Sequence, residues 1–413
     1  MRGISPVPGY VVMQANTLCN LACTYCYLPD RAFHRPTPVA VARAVAESTD
    51  RWAADDPGFA IVWHGGEPLA AGRPALAALM EPFGDVEHQV QTNATLINDD
   101  WCRFFSARRM RVSVSVDGPE ECNDHRVIRG FGRPAYPRII KGIEALRRNG
   151  VPFAALCVVS NPRPGLASRL YDYFLELGCD ALGVSIEEQE GVNERANDAG
   201  DDAVRTFWAE LAAAWRRDPS LRIREIDHVL GYAGALLAGA EDRVLPRRID
   251  PTPMISPDGR AFLLSPELAG FTDPGYGDFS AGNVLRRPLN DIVSEAIVSA
   301  SWVTEFVSGV EACRRTCPYF GFCGGANAGN RYFEHGRFDQ THTNHCRNSR
   351  IRLLEGVLDE VAIRSAATDS AATRIHRAAD EFALLIAKAP SAAVTEDRCE
   401  STGTYYNWNN RSR

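Results

Sequence analysis

Six short runs rich in Val, Ile and Phe alternate along the first half of the chain with longer stretches of helical periodicity. The β-type runs lie at 10–15, 60–64, 88–92, 111–116, 153–159 and 182–187. Helical patterns separate several of them, at 38–55, 75–83, 136–149 and 166–177. Repeated βα units of this kind build a parallel sheet covered by helices. Because six units are present where a closed barrel has eight, the pattern predicts an α/β fold, a partial (β/α)6 TIM-like barrel.

The chain of 413 residues is longer than one typical domain, so we expect a principal domain and a smaller one. The pattern assigns residues 1–190 to the barrel and 191–250 to a mainly helical connector. A turn-rich second domain follows at 251–350, and 351–413 reads as a terminal helix with a loose tail.

The charge and hydropathy of the chain argue against several classes of partner. The net charge of -7 gives no overall attraction to nucleic-acid phosphates or to anionic lipid. We find no apolar stretch that approaches the length of a membrane span, and the opening MRGISPVPGY lacks the apolar run of a signal peptide. The sequence therefore predicts a cytoplasmic protein with no nucleic-acid or membrane partner.

Polar clusters follow the β-type runs at the points where the strands should end. In parallel barrels these carboxyl ends share one rim, which carries the chemistry. In chain order the clusters are Cys19 to Cys26, then Gly65-Gly66-Glu67-Pro68, Thr92-Asn93, Ser115 with Asp117, Ser160-Asn161, and Glu187-Glu188. We therefore expect all of these residues to lie at a single rim of the barrel.

Seven of the twelve cysteines fall into two groups, and the first is Cys19, Cys23 and Cys26. A chain without an export signal makes structural disulfides a poor explanation, so metal binding is favoured. Three thiolates on a four-iron cube leave one iron open to a substrate or cofactor. The alternative is a zinc knuckle, but structural zinc takes four ligands and the nearest further candidate is His34.

The motif Cys19-x3-Cys23-x2-Cys26, with aromatic Tyr25 before the third cysteine, resembles the signature of radical S-adenosylmethionine enzymes. The resemblance implies that the open iron chelates the amino and carboxylate groups of the cofactor's methionine. It also implies that the region of Tyr25 touches the adenine. Reduction of the cluster would then cleave S-adenosylmethionine into methionine and a 5′-deoxyadenosyl radical, which takes hydrogen from an unactivated carbon.

The turn Gly65-Gly66-Glu67-Pro68 is similar to the GGEP turn of this family, which binds the methionine ammonium. Glycines let backbone oxygens approach closely, and a nearby carboxylate favours a cation. The resemblance further implies cofactor contacts from the strand ends at Asn93, Ser115, Asp117 and Ser160. Capping of the strand ends is the alternative role for these four. Asp124 and Arg126 resemble a further element of the peptide-modifying branch, with altered spacing.

The second group, Cys313-x3-Cys317-x5-Cys323 followed by Cys346, resembles the SPASM extension of radical enzymes that modify peptides. Three cysteines of the full pattern are missing, and Met254, Leu264 and Asn327 stand at their positions. The missing cysteines would all belong to one cluster, so the resemblance implies a single auxiliary [4Fe–4S] cluster with four cysteine ligands. A structural zinc site on the same four cysteines stays open as the alternative.

The resemblance is strongest to maturases of ribosomally made peptides, and among them to the branch that forms cyclophanes by carbon–carbon crosslinks. Thioether crosslinking and sulfatase-maturase-like formylglycine formation are the enzymatic alternatives, and a non-catalytic iron–sulfur redox protein is the alternative from another class. The implied partners are a precursor peptide and an electron donor such as flavodoxin or ferredoxin. Glu187 and Glu188 are candidate catalytic proton acceptors, or else salt-bridged carboxylates.

The C-terminal stretch Tyr405-Tyr406-Asn407-Trp408-Asn409-Asn410 has aromatic residues two positions before Asn407, Trp408 and Asn410. That spacing suits a three-residue cyclophane, so the tail is a candidate fused substrate or a strand that occupies the peptide site. A disordered polar end with chance aromatic residues is the alternative.

Overall fold

A computed structural model describes residues 3–195, 200–239 and 248–362 of the chain. The tail at 400–413 and Cys399 therefore lie outside the described residues. Within the described ranges, ten strands form one sheet: Tyr10–Met13 (β1), Ala60–Trp63 (β2), Glu87–Thr92 (β3), Arg111–Ser115 (β4), Phe153–Val159 (β5), Ala181–Ile186 (β6), Arg222–Ile223 (β7), Met254–Ile255 (β8), Arg260–Phe262 (β9) and Ser280–Asn283 (β10).

Helices connect most of the strands and continue after the last one. The helices of the first half are Val39–Asp55 (α1), Arg73–Met80 (α2), Asp99–Ala107 (α3), Tyr136–Arg148 (α4), Leu166–Leu177 (α5), Asp201–Arg217 (α6) and Arg224–Leu237 (α7). Those of the C-terminal part are Leu289–Ser299 (α8), Ser301–Thr316 (α9), Phe320–Cys323 (α10), Ala328–His335 (α11), Asn344–Cys346 (α12) and Arg352–Ala362 (α13). A π-helical turn at Arg347–Ile351 joins α12 to α13.

The order of strands in the sheet is β10-β9-β8-β1-β2-β3-β4-β5-β6-β7. Strands β1 to β6 pair with their neighbours in parallel. The register pairs Met13 with Trp63, and Trp63 with Val90, so the carboxyl ends of these strands meet at one edge. The predicted partial (β/α)6 barrel is therefore confirmed, with its polar strand ends gathered at one rim.

The amino-acid sequence of each element explains its position and its limits in the fold. Every residue of β1 and β2 is buried, as expected for parallel strands covered on both faces. Helix α1 turns an apolar stripe that includes Val41, Val45 and Trp52 toward the sheet. The helix predicted at 75–83 begins earlier, at Arg73, and after Met80 it tightens into a 3-10 turn at Glu81–Phe83, because Pro82 has no N–H to donate; the chain then leaves the helix at Gly84, which has a φ of 57°.

The C-terminal part of the chain continues the same sheet. Strand β8 pairs in parallel with β1, and β9 and β10 extend the sheet by antiparallel pairing. Strand β7 extends the opposite edge by pairing with β6. An aromatic group joins the segment before β10 to the last helices; its members are the buried Phe279, Trp302 and Phe338 and the half-buried Tyr276 and Tyr332.

Helix α13 closes the structure by packing against α6. The indole of Trp208 donates to the carbonyl oxygen of Asn348 at 2.9 Å, and Arg205 pairs with Asp359. A Cβ atom added at Gly356 would lie 2.5 Å from the carbonyl oxygen of Arg205, so the two helix backbones approach closely. Among the helices of the described ranges, we find none with both the length and the apolar character of a membrane span.

Candidate functional site

The loop that follows β1 carries Cys19, Cys23 and Cys26, and the segment at 125–129 holds it in place. The guanidinium of Arg129 donates to the carbonyl oxygens of Cys19 at 2.8 Å and of Leu21 at 2.9 Å. Backbone N–H groups of the loop donate to carbonyl oxygens of the same segment, from Ala22 to Val127 and from Thr24 to His125. The cysteine loop is therefore fixed without any secondary structure of its own.

The three thiols of this loop are close enough to affect one another. Burial, together with the charges of Glu67, Cys23 and Cys26, raises the pKa of Cys19 to about 12. Burial also raises the pKa of Cys23 to about 11. Such thiols stay protonated unless a strong positive charge compensates their ionisation, and metal coordination supplies it by deprotonating the thiol. The donor set therefore fits an iron–sulfur cluster with three protein ligands.

The turn Gly65-Gly66-Glu67-Pro68 lies directly against the cysteine loop. A Cβ atom added at Gly66 would lie 2.8 Å from the carbonyl oxygens of Asn16 and Leu18, and the φ of Gly66 is +67°. The N–H of Glu67 donates to the carbonyl oxygen of Leu18 at 2.8 Å, and the Asn16 amide donates to that of Glu67 at 3.0 Å. Only glycine fits this contact, so the turn and the loop form one unit.

The carboxylate of Glu67 is buried and accepts hydrogen bonds from groups of the protein itself. It accepts hydrogen bonds from the Thr92 hydroxyl at 2.7 Å, the Asn93 N–H at 2.8 Å and the Leu69 N–H at 3.1 Å. Burial raises its pKa to about 7, although these hydrogen bonds oppose the shift. Asn93 in turn points its amide at the Cys19 sulfur, at 3.9 Å. The structure thus brings the predicted residues of β2, β3 and the cysteine loop together, with Glu67 as the link.

Asp117, at the end of β4, is the centre of a second buried network. Its carboxylate accepts from the Tyr25 hydroxyl at 2.7 Å, from Arg126 at 2.7 and 2.9 Å, and from the Val158 N–H at 2.9 Å. The guanidinium of Arg126 also lies 5.3 Å from the centre of the Tyr25 ring. Burial raises the pKa of Tyr25 well above its usual value, so the phenol stays protonated as the donor.

The remaining predicted strand-end residues lie at the same rim. Ser115 is the last residue of β4 and Ser160 directly follows β5, and both side chains are half-buried. Glu187 follows β6, accepts from the Asn193 amide at 3.3 Å and lies 3.6 Å from the Arg195 guanidinium. Glu188 is also buried and lies 3.2 Å from His345.

The sequence analysis did not single out the pair of Tyr27 and His64. The Tyr27 hydroxyl lies 2.8 Å from the His64 Nε2, directly between the last cysteine of the loop and the GGEP turn. Burial lowers the pKa of His64 to about 3, so the imidazole is neutral at physiological pH. Each of these two residues is next in the sequence to a predicted motif, and this adjacency is the one sequence feature that could have identified the pair.

The other four clustered cysteines converge in the C-terminal part. They lie at the end of α9 (Cys313 and Cys317), the end of α10 (Cys323) and the end of α12 (Cys346). Burial, together with the charges of the other three thiols, raises the pKa of Cys346 to about 12. Four cysteines whose thiols affect one another's ionisation supply the donor type and number of a site with four cysteine ligands.

Arg331 stands beside these cysteines and was missed by the sequence analysis. Its side chain is almost fully buried, and it donates to the Cys313 sulfur at 3.5 Å and to the Gly325 carbonyl oxygen at 2.6 Å. A buried cation next to thiols favours their ionised form, and it lowers the pKa of Cys313 against the effect of burial. Nothing in the local sequence marks this arginine.

The positions at which the SPASM pattern has further cysteines serve other purposes here. Met254 and Leu264 are buried apolar residues, the first of them in β8. Asn327 caps helix α11, because its side-chain oxygen accepts from the N–H of Gly329 at 2.9 Å. Packing and capping therefore account for these three side chains.

The chain matches the family model of the Radical SAM superfamily over residues 14–162. An uncharacterized protein of Synechocystis sp. is 30% identical over 357 residues, which cover 82% of this chain and 88% of that protein. A serine-type anaerobic sulfatase-maturating enzyme of Klebsiella aerogenes is 35% identical over 226 residues. This match covers 52% of the chain and 55% of the enzyme, about half the length of each.

Two solved structures share the fold at low sequence identity. Native anSMEcpe with bound AdoMet superposes with a TM-score of 0.67 and 20% identity, covering 90% of this chain and 100% of its own. SuiB of Streptococcus suis, bound to the precursor peptide SuiA, superposes with a TM-score of 0.58 and 15% identity, covering 83% and 76%. The family match, the relative aligned over most of both chains and the shared fold lead to one conclusion: the chain belongs to the radical S-adenosylmethionine superfamily of enzymes, which use a [4Fe–4S] cluster and S-adenosylmethionine.

Proposed function

We propose that this enzyme modifies a ribosomally made precursor peptide and installs a side-chain crosslink, with a carbon–carbon cyclophane as the favoured product. The observation that carries the proposal is the contact between the GGEP turn and the cysteine loop, where Gly66 approaches the carbonyl oxygens of Asn16 and Leu18. This contact combines a three-cysteine site with a glycine turn able to present backbone acceptors to an ammonium group.

In this proposal Cys19, Cys23 and Cys26 hold the cluster, and the backbone of Gly65 and Gly66 binds the methionine ammonium of S-adenosylmethionine. When bound, the reduced cluster supplies the electron that cleaves S-adenosylmethionine and so generates a 5′-deoxyadenosyl radical. Asp117 and Arg126 act as positioning residues, because their hydrogen bonds fix the Tyr25 ring. Asn93, Ser115 and Ser160 complete the cofactor side of the rim.

The second site supports the choice of a peptide-modifying reaction. We assign one auxiliary [4Fe–4S] cluster to Cys313, Cys317, Cys323 and Cys346, whose thiols lie within electrostatic reach of one another. Four protein ligands leave no open iron, so this site would pass electrons rather than bind the substrate. A cytoplasmic electron donor such as flavodoxin or ferredoxin would reduce the enzyme. The bound peptides named for SuiB and for anSMEcpe agree with a peptide substrate.

Formylglycine formation is the second candidate, because sulfatase-maturating enzymes are among the relatives in sequence. Oxidation of a serine to formylglycine and formation of a carbon–carbon crosslink both remove two hydrogens, so mass alone does not separate them. Formylglycine carries an aldehyde, which reacts with hydrazides, whereas a cyclophane does not. A thioether crosslink is the third outcome, and it consumes a cysteine thiol.

The experiment incubates the anaerobically reconstituted enzyme with S-adenosylmethionine, dithionite and, in turn, the product of each short reading frame that adjoins its gene. We expect a peptide lighter by two hydrogens that is inert to hydrazide and retains any cysteine thiol. Tandem mass spectrometry should leave a gap in the fragment ladder across the joined residues. A hydrazide adduct would favour formylglycine, and loss of a thiol that alkylation otherwise detects would favour the thioether.

A further inference from the structure

A group of buried carboxylates lies between the loop after β6 and the C-terminal helices, outside the two cysteine sites. We call it the acidic cluster and define it by Glu188, Glu190 and Glu267, with Asn330 between the first two. Glu188 and Glu190 follow β6, Glu267 lies on the helical turn Pro266–Leu268, and Asn330 lies on α11. The side chains of Glu188, Glu267 and Asn330 are buried, and Glu190 is half-buried.

One amide group joins two of the carboxylates. Asn330 Nδ2 donates to Glu188 Oε2 at 2.8 Å and to Glu190 Oε1 at 2.6 Å. Glu188 also accepts from the Ser349 hydroxyl at 3.1 Å, and Glu267 accepts from the Ser265 hydroxyl. All of these donors are neutral, so hydrogen bonding holds the carboxylates in place without balancing their charge.

The negative charge of the cluster lacks an arginine or lysine partner. Across the ranges that the structure describes, neither residue type forms an ion pair with Glu188, Glu190 or Glu267, and His345 lies 3.2 Å from Glu188. The nearby Glu334 adds a further carboxylate. Burial raises the pKa of Glu190 well above its usual value, and Glu267 and Glu188 raise it further by their charges. Burial of unbalanced carboxylates is costly, which favours the entry of a cation.

A second observation points to a ligand with several hydrogen-bond donors. The Asn330 Oδ1 atom is fully buried and has no hydrogen-bond partner, although it belongs to the amide that joins Glu188 and Glu190. A buried carbonyl oxygen normally accepts a hydrogen bond. Unfilled acceptor capacity therefore lies beside buried carboxyl groups that burial disfavours from ionising, and a cationic donor group would satisfy the oxygen and stabilise the ionised carboxylates.

The acidic cluster adjoins the cysteine loop. The N–H of Val192 donates to the Tyr27 carbonyl oxygen at 3.0 Å, and the Arg195 guanidinium donates to the Thr24 hydroxyl at 3.0 Å. A Cβ atom added at Gly191 would lie 2.1 Å from the same Tyr27 oxygen. The loop that carries Glu188 and Glu190 is thus pressed against the loop that carries Cys26, at the rim where a substrate must lie.

We infer that the acidic cluster binds a basic side chain of the substrate peptide, a guanidinium or ammonium group, and so fixes the peptide at the rim. This inference rests on the proposed peptide substrate. The half-buried Glu190 gives access from solvent. A guanidinium suits the site best, since its five N–H donors match several carboxylate oxygens and an amide oxygen at once.

The test measures binding to the reconstituted enzyme with S-adenosylmethionine present, by anaerobic calorimetry. The probe is a capped alanine pentapeptide with one central arginine, and its matched control carries citrulline, which is isosteric and neutral. We expect the arginine peptide to bind about tenfold more tightly or better, because charge-assisted hydrogen bonds are the stronger ones. Binding should also release protons, detected by repeating the titration in buffers of different ionisation enthalpy.

The variants Glu190→Gln and, as a control, Glu295→Gln locate the effect. Glu295 is exposed and pairs with Arg287, so its replacement should leave the preference for arginine unchanged. In the Glu190→Gln variant, the affinities for the arginine peptide and the citrulline peptide should differ by no more than about threefold. Equal affinity for the two peptides, no saturable binding of either, or saturable Ca²⁺ binding that displaces the arginine peptide would each overturn the inference. None of these measurements needs turnover, so failure of the proposed crosslinking reaction would be seen separately.

Discussion

At the residue scale, the contact of the site with the strictest requirements is the buried ion pair between Asp117 and Arg126. Both side chains are buried, and the guanidinium binds the carboxylate through two nitrogens while Tyr25 donates to the same group. Loss of one partner would leave an uncompensated buried charge. The pair therefore holds the end of β4, the segment at 125–129 and the cysteine loop in one arrangement.

Replacing Arg126 with Ala should lower the free energy of unfolding by about 3 to 5 kcal/mol, because Asp117 would remain buried without its partner. Urea unfolding followed by circular dichroism measures the change. The matched control is Arg287→Ala, which removes an exposed ion pair with Glu295 and should cost less than about 1 kcal/mol. Equal losses in the two variants would contradict the role given to the buried pair.

His88 gives a prediction for the pH dependence of stability. Its Nδ1 accepts from the Trp63 indole at 3.1 Å, and burial lowers its pKa from 6.5 to about 4. Below pH 6.5 the unfolded chain binds a proton that the folded protein does not, so stability is fully present above that pH and falls as the pH approaches 4. The resulting decrease in the free energy of unfolding is about 3 kcal/mol at most.

Urea unfolding between pH 7 and pH 4.5 tests this dependence. As the pH is lowered, the free energy of unfolding of the wild-type protein should fall more steeply than that of the His88→Gln variant, by up to about 1.4 kcal/mol per pH unit. The variant cannot titrate at this position. Parallel pH curves for the two proteins would show that His88 does not contribute in this way.

Several contacts of the site could not be predicted from the sequence, because they join residues that no local pattern relates. The cysteines and the GGEP turn have recognisable spacings, so the sequence alone predicted that they belong to the site. Arg126 was noted only through a motif of altered spacing, and Arg331 and His64 have no such spacing, so only the fold shows what each of them contacts. The role of Glu67 is similar, since its carboxylate turns inward to Thr92 and Asn93.

At the scale of elements, the two loops after β1 and β2 act as one unit. The GGEP turn fits against the cysteine loop only because Gly66 has no side chain and adopts a φ of +67°. The strands β1, β2 and β5 were the most directly predictable, since each is a continuous apolar run. The short strands β7 and β8, of two residues each, were not, because their pairing depends on neighbours far away in the sequence.

Replacing Gly66 with Ala should reduce cleavage of S-adenosylmethionine by at least about tenfold, because the added Cβ pushes the turn away from the cysteine loop. Anaerobic assays of 5′-deoxyadenosine release measure the effect. Gly84 is the matched control, with a φ of +57° and no atom within 4 Å of an added Cβ. Gly84→Ala should cost about 1 to 3 kcal/mol of stability, because its φ of 57° and ψ of -124° favour glycine, and it should leave cleavage unchanged. Equal activity of both variants would contradict the proposed fit.

At the scale of the whole molecule, one sheet connects the two cysteine sites. Strand β8 pairs with β1, which leads into the first cysteine loop, and β9 and β10 lead into the helices that carry the second group. We propose that residues 1–190, 191–250, 251–350 and 351–413 are units of one working structure. In this proposal the sheet sets the separation of the two cysteine sites, across which an electron would pass.

Replacing both Cys313 and Cys317 with Ala should remove about four of about eight irons and abolish peptide product, while some cleavage of S-adenosylmethionine remains. Iron analysis and mass spectrometry of the peptide measure the two effects. Cys179→Ala is the control, because Cys179 is buried just before β6, at the opposite edge of the sheet from the rim. Zinc in place of iron at the second site would contradict the auxiliary cluster.

The central claim is that Cys19, Cys23 and Cys26 support the cleavage of S-adenosylmethionine, and one measurement tests it most directly. Wild-type protein and the variant with all three cysteines replaced by Ala are reconstituted anaerobically and given S-adenosylmethionine and dithionite. We predict that the wild type releases 5′-deoxyadenosine, and that the variant releases none and holds about four fewer irons. Release of 5′-deoxyadenosine by the triple variant at the wild-type rate would contradict the claim.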